Sequence, residues 1–292
     1  YSSAASDVYK RQVLASDPDA DRVGAAVKNN EGEWVLLNGN QTALMFVYYL
    51  ITRWKELGKI NGKEYIVKTI VTTETIKTIA ERNGVEMYDV YTGFKWIANV
   101  MRENEGKKNY IGGGEESYGF LCEDFVRDKD AVSACVILAE IAAWAKDQGL
   151  SLYQLLQKIY VEYGFSKEKG ISVVKKGKSG AEEIEAMMKK FRENPLTEIA
   201  GSKVTYFYDY STLKGKDYAE NETVTLDMPT TSNVLQYFTE DNTKVSIRPS
   251  GTEPKIKFYC EVHSKVKNID ELPEAEKAAE EKINQIKASL GI

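Results

Sequence analysis

The sequence has 292 residues, 42% of them hydrophobic and 28% charged, with a formal net charge of −5 and a pI near 5.3. That length suits about two domains, and the acidic balance excludes a general nucleic-acid surface while leaving room for a local basic pocket. Cys122, Cys135 and Cys260 lie far apart without ligand spacing, as free thiols of a reducing, cytoplasmic compartment do, and the longest apolar stretch, residues 131–145, is too short and too polar for a bilayer.

In chain order, residues 1–12 are polar and patternless and are set aside as a non-native or disordered extension. Residues 13–15 read as a short strand running into an acidic loop. Residues 24–27 and 34–37 read as two strands joined by the turn Asn29-Asn30-Glu31-Gly32. Residues 41–57 are helical, with Leu44, Val47, Tyr48 and Ile51 on one face. Strand and helix then alternate: 65–71 strand, 73–83 helix, 86–91 strand, 95–104 helix, 110–111 strand. Such alternation predicts parallel βαβ units with helices on both faces. Residues 130–148 are apolar almost all round and predict a deeply buried helix. A further helix over 152–163 closes the first domain.

Character changes near Gly164. A strand over 171–174 and an amphipathic helix over 181–193 precede several strands within 203–262. Ile256, Phe258, Cys260 and Val262 alternate with Lys255, Lys257, Tyr259 and Glu261, the pattern of a half-solvated antiparallel strand. The single histidine, His263, reads as an edge residue. A helix over 269–290 ends the chain. The expected class is α/β: a domain with a mixed or parallel sheet, followed by a smaller α+β C-terminal domain.

Three loops carry donor sets that suggest chemistry. In Asp17-Pro18-Asp19-Ala20-Asp21-Arg22, carboxylates at alternate positions can converge on one hard cation such as Mg²⁺ or Ca²⁺. A metal there would polarise a phosphoryl oxygen. The segment also reads as a solvated acidic turn. Gly112-Gly113-Gly114-Glu115-Glu116-Ser117-Tyr118-Gly119 follows a strand, so it falls at the carboxyl end of a parallel sheet. Glu115 and Ser117 suit sugar hydroxyls, although a turn with incidental polar residues reads the same way. Arg127-Asp128-Lys129-Asp130, just downstream, reads as a salt-bridge cluster capping the next helix. In Arg248-Pro249-Ser250-Gly251-Thr252-Glu253-Pro254, a guanidinium fork, two hydroxyls and the amides around Gly251 suit a phosphate; the plainer reading is a tight hairpin. A weaker element, Thr92-Gly93-Phe94-Lys95, opens a helix, where anions are favoured.

Taken together, these loops resemble those of the α-D-phosphohexomutase family. Asp17 to Arg22 resembles its metal loop, Gly114 to Gly119 its sugar-recognition loop, Arg248 to Pro254 its phosphate loop, and Thr92 to Lys95 its specificity turn. The resemblance covers about residues 13–290. Gly-Glu-Glu-Ser-Tyr-Gly-Phe followed by Arg127-Asp128-Lys129-Asp130 is closer to phosphoglucomutases than to phosphomannomutases. The latter often carry a histidine where Gly119 stands, so that acid–base role is not carried over.

The resemblance implies a phosphohexomutase-type fold of four domains. Residues 13–40 would be the end of domain 2, 41–165 domain 3 and 166–292 domain 4, with the phosphoserine loop of the family absent. It implies interconversion of glucose 1-phosphate and glucose 6-phosphate through a phosphoserine and a bisphosphorylated intermediate, with this C-terminal fragment inactive alone. Mg²⁺ would be held by Asp17, Asp19 and Asp21, with Arg22 as the catalytic residue beside it. Thr92, Gly93, Lys95, Glu115, Ser117 and Lys129 would bind the sugar. Arg248, Ser250, Gly251 and Thr252 would bind its distal phosphate. The implied partner is a hexose phosphate, with no nucleic acid and no membrane, in a monomer or weak homodimer. Mutases of mannose, glucosamine or pentose phosphates, a non-catalytic sugar-phosphate-binding protein, and a phosphatase using Asp17 or Asp19 remain as rival readings.

Overall fold

The computed structural model describes residues 12–175, 177–251 and 253–292. The chain divides into two compact units, one ending at Gly164 and one running from Phe165 to Ile292. Among the described residues no helix is long and apolar enough to cross a membrane.

The first unit opens with β1 (Gln12–Ser16), β2 (Val23–Lys28) and β3 (Trp34–Leu37), an antiparallel sheet in that order. The sequence pattern places Gln12 in the extension, but it pairs with Val27 and belongs to the strand; residues 1–11 of that extension lie outside the described residues. Val23, Ala25 and Val27 alternate inward, as a sheet with one buried face requires.

Helix α1 (Gly39–Glu56) starts at a capping box: Asn38 Oδ1 accepts from the Gln41 amide at 2.8 Å, and Gln41 Oε1 accepts from the Asn38 amide at 3.0 Å. Then follow β4 (Glu64–Thr69), α2 (Thr75–Arg82), β5 (Glu86–Val90), α3 (Phe94–Asn104), β6 (Asn109–Gly114) and β7 (Phe120–Cys122). The sheet order is β5-β4-β6-β7, with β5, β4 and β6 parallel and β7 antiparallel.

Helices do cover both faces. Tyr65, Val67, Tyr110 and Leu121 pack with Phe94, Ile97 and Met101 of α3. On the other face Phe120 stacks on Phe46 of α1 at 4.5 Å. The glycine run expected as loop is instead the end of β6. A Cβ on Gly113 would meet the Val67 carbonyl oxygen at 2.4 Å, and one on Gly114 would meet Phe120 at 2.5 Å. Strand packing, not ligand approach, requires these glycines.

Helix α4 (Ala131–Asp147) and helix α5 (Leu152–Tyr163) complete the unit. Contrary to expectation, α4 is buried on one side only. Ala131, Ala134, Leu138, Ile141 and Ala145 are covered, while Val132 and Val136 are 64% and 62% exposed. Its apolar character reflects composition, not full enclosure.

The second unit contains β8 (Phe165–Val174), α6 (Gly177–Glu193), β9 (Glu198–Ile199), β10 (Ser202–Asp209), β11 (Lys214–Asp217), β12 (Glu222–Thr225), β13 (Leu235–Thr239), β14 (Lys244–Pro249) and β15 (Lys255–Ser264). A 3-10 turn, Ile269–Glu271, leads into α7 (Leu272–Leu290). The strands form one sheet in the order β12-β11-β10-β13-β14-β15-β8, with β9 beside β10, and every pairing is antiparallel.

Two expectations are corrected here. Strand β15 is flanked by β14 and β8, so His263 does not lie on an edge strand. Its polar alternation is not fully solvated either: Glu261 is 2% exposed, because it pairs with the equally buried Lys244 at 2.9 Å and with His263 Nε2 at 2.7 Å.

Candidate functional site

The acidic loop joins β1 to β2. One oxygen of Asp17, Oδ1, accepts from the amides of Asp21 and Arg22, both at 3.1 Å, and Ala20 takes φ 56° to complete the turn. Desolvation works against the ionised Asp17 carboxyl, but those amide donors outweigh it, and its pKa lies below the ordinary range. Asp19 is exposed. Asp21 Oδ2 lies 2.8 Å from Lys129 Nζ, and its buried Oδ1 has no hydrogen-bond partner among the described residues. Among those residues no three His, Cys, Asp or Glu side chains gather at one point. Asp17 and Asp21 interact through their side chains, but the exposed Asp19 does not join them, so the three carboxylates do not converge in this arrangement. The donor set still fits a hard cation: all three ligands are oxygens, and one of them is buried without a partner.

The loop after β6 is closed, not extended. The Glu115 amide donates to the Gly119 carbonyl at 2.8 Å, and Tyr118 turns the chain at φ 74°. Glu115 is buried, and its Oε1 accepts from the Gly93 amide at 2.7 Å. That bond ties the sugar-recognition candidate to the turn of Thr92, Gly93, Phe94 and Lys95. Ser117 is half-buried, Thr92 and Gly93 are half-buried, and Lys95 is exposed with its ammonium over the Trp96 ring. The acidic loop is joined to the same structure by main chain: Arg22 bridges Gly119, the Val23 amide donates to the Tyr118 carbonyl at 3.1 Å, and the Ala131 amide donates to the Ala20 carbonyl at 3.0 Å. A further close approach sits below, where a Cβ on Gly39 would fall 2.0 Å from the Glu116 carbonyl oxygen.

Arg127, Asp128, Lys129 and Asp130 divide their work. Asp130 caps α4 through the amides of Val132 and Ser133, which contributes about 1 kcal/mol. Burial disfavours the charged Asp130, but the Ser133 and Val132 donors hold its pKa down. Lys129 is desolvated, yet Asp21 and Asp128 push its pKa up and keep it an ammonium. Arg127 pairs with Glu105 at the surface.

Sequence reasoning missed Lys68. It is 1% exposed on β4, with Nζ 2.7 Å from Asp89 and 2.9 Å from Glu74. The available signal was one cation within an otherwise β-rich run. The partner of Lys129 across the chain had no local signal.

In the second unit Arg248 is half-buried at the end of β14, opposite Lys257. The Ser250 amide donates to the Lys255 carbonyl at 2.8 Å, and the Glu253 amide meets Ser250 Oγ at 3.3 Å. Gly251 is exposed, with open space where a Cβ would stand. Thr252 lies outside the described residues. A cavity of about 490 Å³ lies between this loop and α6, lined by Ala181, Ile184, Met188, Ser250, Gly251 and Lys255 among others.

Comparison with known proteins gives consistent matches. The family described as phosphoglucomutase/phosphomannomutase, alpha/beta/alpha domain III, matches residues 38–163, and the C-terminal domain of the same family matches residues 173–279. A phosphoglucomutase of Staphylococcus aureus (strain USA300) is 37% identical over 260 residues, covering 89% of this chain and 46% of that protein. A phosphoglucomutase of Staphylococcus haemolyticus (strain JCSC1435) is 33% identical over 259 residues, with the same coverage. The chain thus spans about half the length of the curated relatives it matches. Among solved structures, pp63/parafusin from Paramecium aligns with TM-score 0.57 at 18% identity, over 88% of this chain and 41% of that one. A phosphoglucomutase/phosphomannomutase family protein from Burkholderia thailandensis aligns with TM-score 0.58 at 16% identity, over 96% and 47%. These two likenesses bear on the fold.

Proposed function

The chain belongs to the phosphoglucomutase/phosphomannomutase family, and from that premise we propose that it carries the metal, sugar and distal-phosphate sites of an enzyme interconverting glucose 1-phosphate and glucose 6-phosphate. In this reading residues 13–40 close domain 2, 41–165 form domain 3 and 166–292 form domain 4. The observation that carries it is the joining of segments far apart in sequence: the acidic loop to the loop of Glu115 to Gly119 by main chain, and that loop to the turn at Gly93 by the Glu115 carboxylate.

Asp17, Asp19 and Asp21 would hold Mg²⁺, which when bound would supply positive charge at a reacting phosphoryl group. Arg22 stabilises charge developing beside it. Glu115 and Ser117, with Thr92, Gly93 and Lys95, grip hydroxyls near the middle of the ring, which occupy similar places in either orientation of the sugar. Lys129 is a further substrate contact. Arg248, Ser250, Gly251 and Thr252 hold the phosphate that is not reacting, by a guanidinium fork, hydroxyls and amides.

The reaction of the whole enzyme runs through a phosphoserine in a Ser-His-Asn-Pro type loop. The one histidine of this sequence, His263, stands between Val262 and Ser264, so no such loop occurs in these 292 residues. The chain alone therefore binds without turning over. In a coupled assay from glucose 1-phosphate it gives no rate above a blank, while calorimetry detects binding of either glucose phosphate that Arg248→Ala weakens. Turnover by the chain alone, or binding indifferent to Arg248, overturns the reading.

A further inference from the structure

The ion pair between Lys129 and Asp21 joins a residue of the acidic loop to one beyond β7. Lys129 Nζ is 2.8 Å from Asp21 Oδ2 and 3.4 Å from Asp128 Oδ1. Its side chain is 15% exposed and that of Asp21 28%. The other oxygen of Asp21, Oδ1, is buried and forms no hydrogen bond among the described residues; Arg22 Nε stands off at 3.8 Å. The carboxylate is thus satisfied on one side by a cation, while on the other it has no donor and interacts with the Asp17 carboxyl, an arrangement that costs free energy unless a further positive partner arrives.

Asp17 is different. Its Oδ1 is held by two amides of its own loop, so the loop keeps its shape whatever occupies Asp21. The lysine reaches Asp21 along a narrow lane: a Cβ on Gly119 would meet Lys129 Cδ at 2.7 Å. A lysine ammonium is a point charge on a flexible stem, not a planar fork, and it can withdraw without rearranging the backbone.

We propose that Lys129 is an intramolecular competitor for the cation of the acidic loop, neutralising Asp21 in the metal-free protein and withdrawing when a divalent ion binds. The inference rests on the magnesium reading above. The metal meets a binding-competent loop only in the fraction of molecules whose lysine has withdrawn, and its apparent affinity falls by that fraction. The pair also keeps the loop from carrying unbalanced negative charge while it waits for metal.

Mn²⁺ binding to the chain, measured by calorimetry and by the electron paramagnetic resonance of free Mn²⁺, tests this without an activity assay. The wild type binds one ion, and Lys129→Met binds it about tenfold more tightly, since the competitor is gone. Removing a positive charge also strengthens cation binding at a distance, so Gly119→Ala supplies the control: it keeps the charge and pushes the lysine stem out of its lane. It too binds Mn²⁺ more tightly, by a few-fold. Equal or weaker binding by Lys129→Met overturns the proposal and leaves the metal reading standing. Tightening in Lys129→Met with none in Gly119→Ala also overturns it, because the effect is then charge and not occupancy. Absence of Mn²⁺ binding in all three proteins removes the metal reading itself. Circular dichroism reports whether Lys129→Met folds; if it does not, Gly119→Ala alone decides.

Discussion

The candidate site loops of the two units are held in different ways. In the first unit, four segments remote in sequence are joined: by backbone contacts from Arg22 to Gly119, Val23 to Tyr118 and Ala131 to Ala20, and by the Gly93 amide donating to the Glu115 carboxylate. In the second unit the loop from Arg248 to Pro254 is a hairpin connection between neighbours β14 and β15. One of its ties is local, the Ser250 amide to the Lys255 carbonyl, and one comes from the neighbouring strand's end, the Lys175 amide to the Pro254 carbonyl. A site assembled from distant pieces needs main-chain fasteners to fix their spacing. An anion nest is built from consecutive amides and hydroxyls, so its own turn is enough. What the second unit requires instead is a firm sheet behind the hairpin, and there the buried Lys244 and Glu261 and the half-buried His263 lie on the two strands that carry it.

The largest test of this contrast is Glu261→Gln. It strips the carboxylate from a lysine that is 2% exposed and from His263, and removal of one partner of a buried pair costs about 3 kcal/mol. Urea unfolding should register that loss, and amide exchange should place it in β14 and β15. A loss below about 1 kcal/mol would mean that the pair is not what supports the hairpin.

Gly39→Ala tests the first unit. The new methyl would fall 2.0 Å from the Glu116 carbonyl oxygen and 2.7 Å from the Tyr118 amide, so backbone must move. The expected cost is about 2 kcal/mol, read as a lower melting temperature, with faster exchange at the Val23 amide. A neutral outcome would show that the loop is less tightly fixed than its bonds imply.

The smallest effect is a pH dependence. Burial pulls the His263 pKa down, but the Glu261 carboxylate more than compensates, so the folded value is raised. A raised histidine adds stability that is complete below its unfolded value of about 6.5 and is lost as pH rises through the folded value. The second unit should therefore weaken as pH climbs above neutrality. Urea midpoints of His263→Gln should lose that slope, since it is the chain's one histidine.

Much of this arrangement was legible beforehand. Helix α1 announces itself by its apolar period and α5 was also expected, while the capping boxes of Asn38 with Gln41 and Ser151 with Gln154 emerge only in the structure. The strand–helix alternation gave the parallel sheet, and each loop was visible as a motif. What escaped was decided by distant partners. Ser166, Lys167, Glu168, Lys169 and Gly170 have no strand pattern, yet β15 pairs with all of them and overrides local preference. Helix α4 is apolar on a face that the described unit leaves open. Lys129 stands out in its charged cluster, but nothing nearby in sequence marks Asp21 as its partner, so the loops could be named before their joining could be described.

The fastening of Tyr118 and Gly119 to β2 has a consequence for variation. The Val23 bond and the Arg22 bridge use only peptide groups. Ser117 and Tyr118 can accordingly be exchanged for other residues while the socket that presents them stays in place. Under the proposed function, a lineage or an engineer would retune which sugar is gripped by rewriting those side chains without rebuilding the frame.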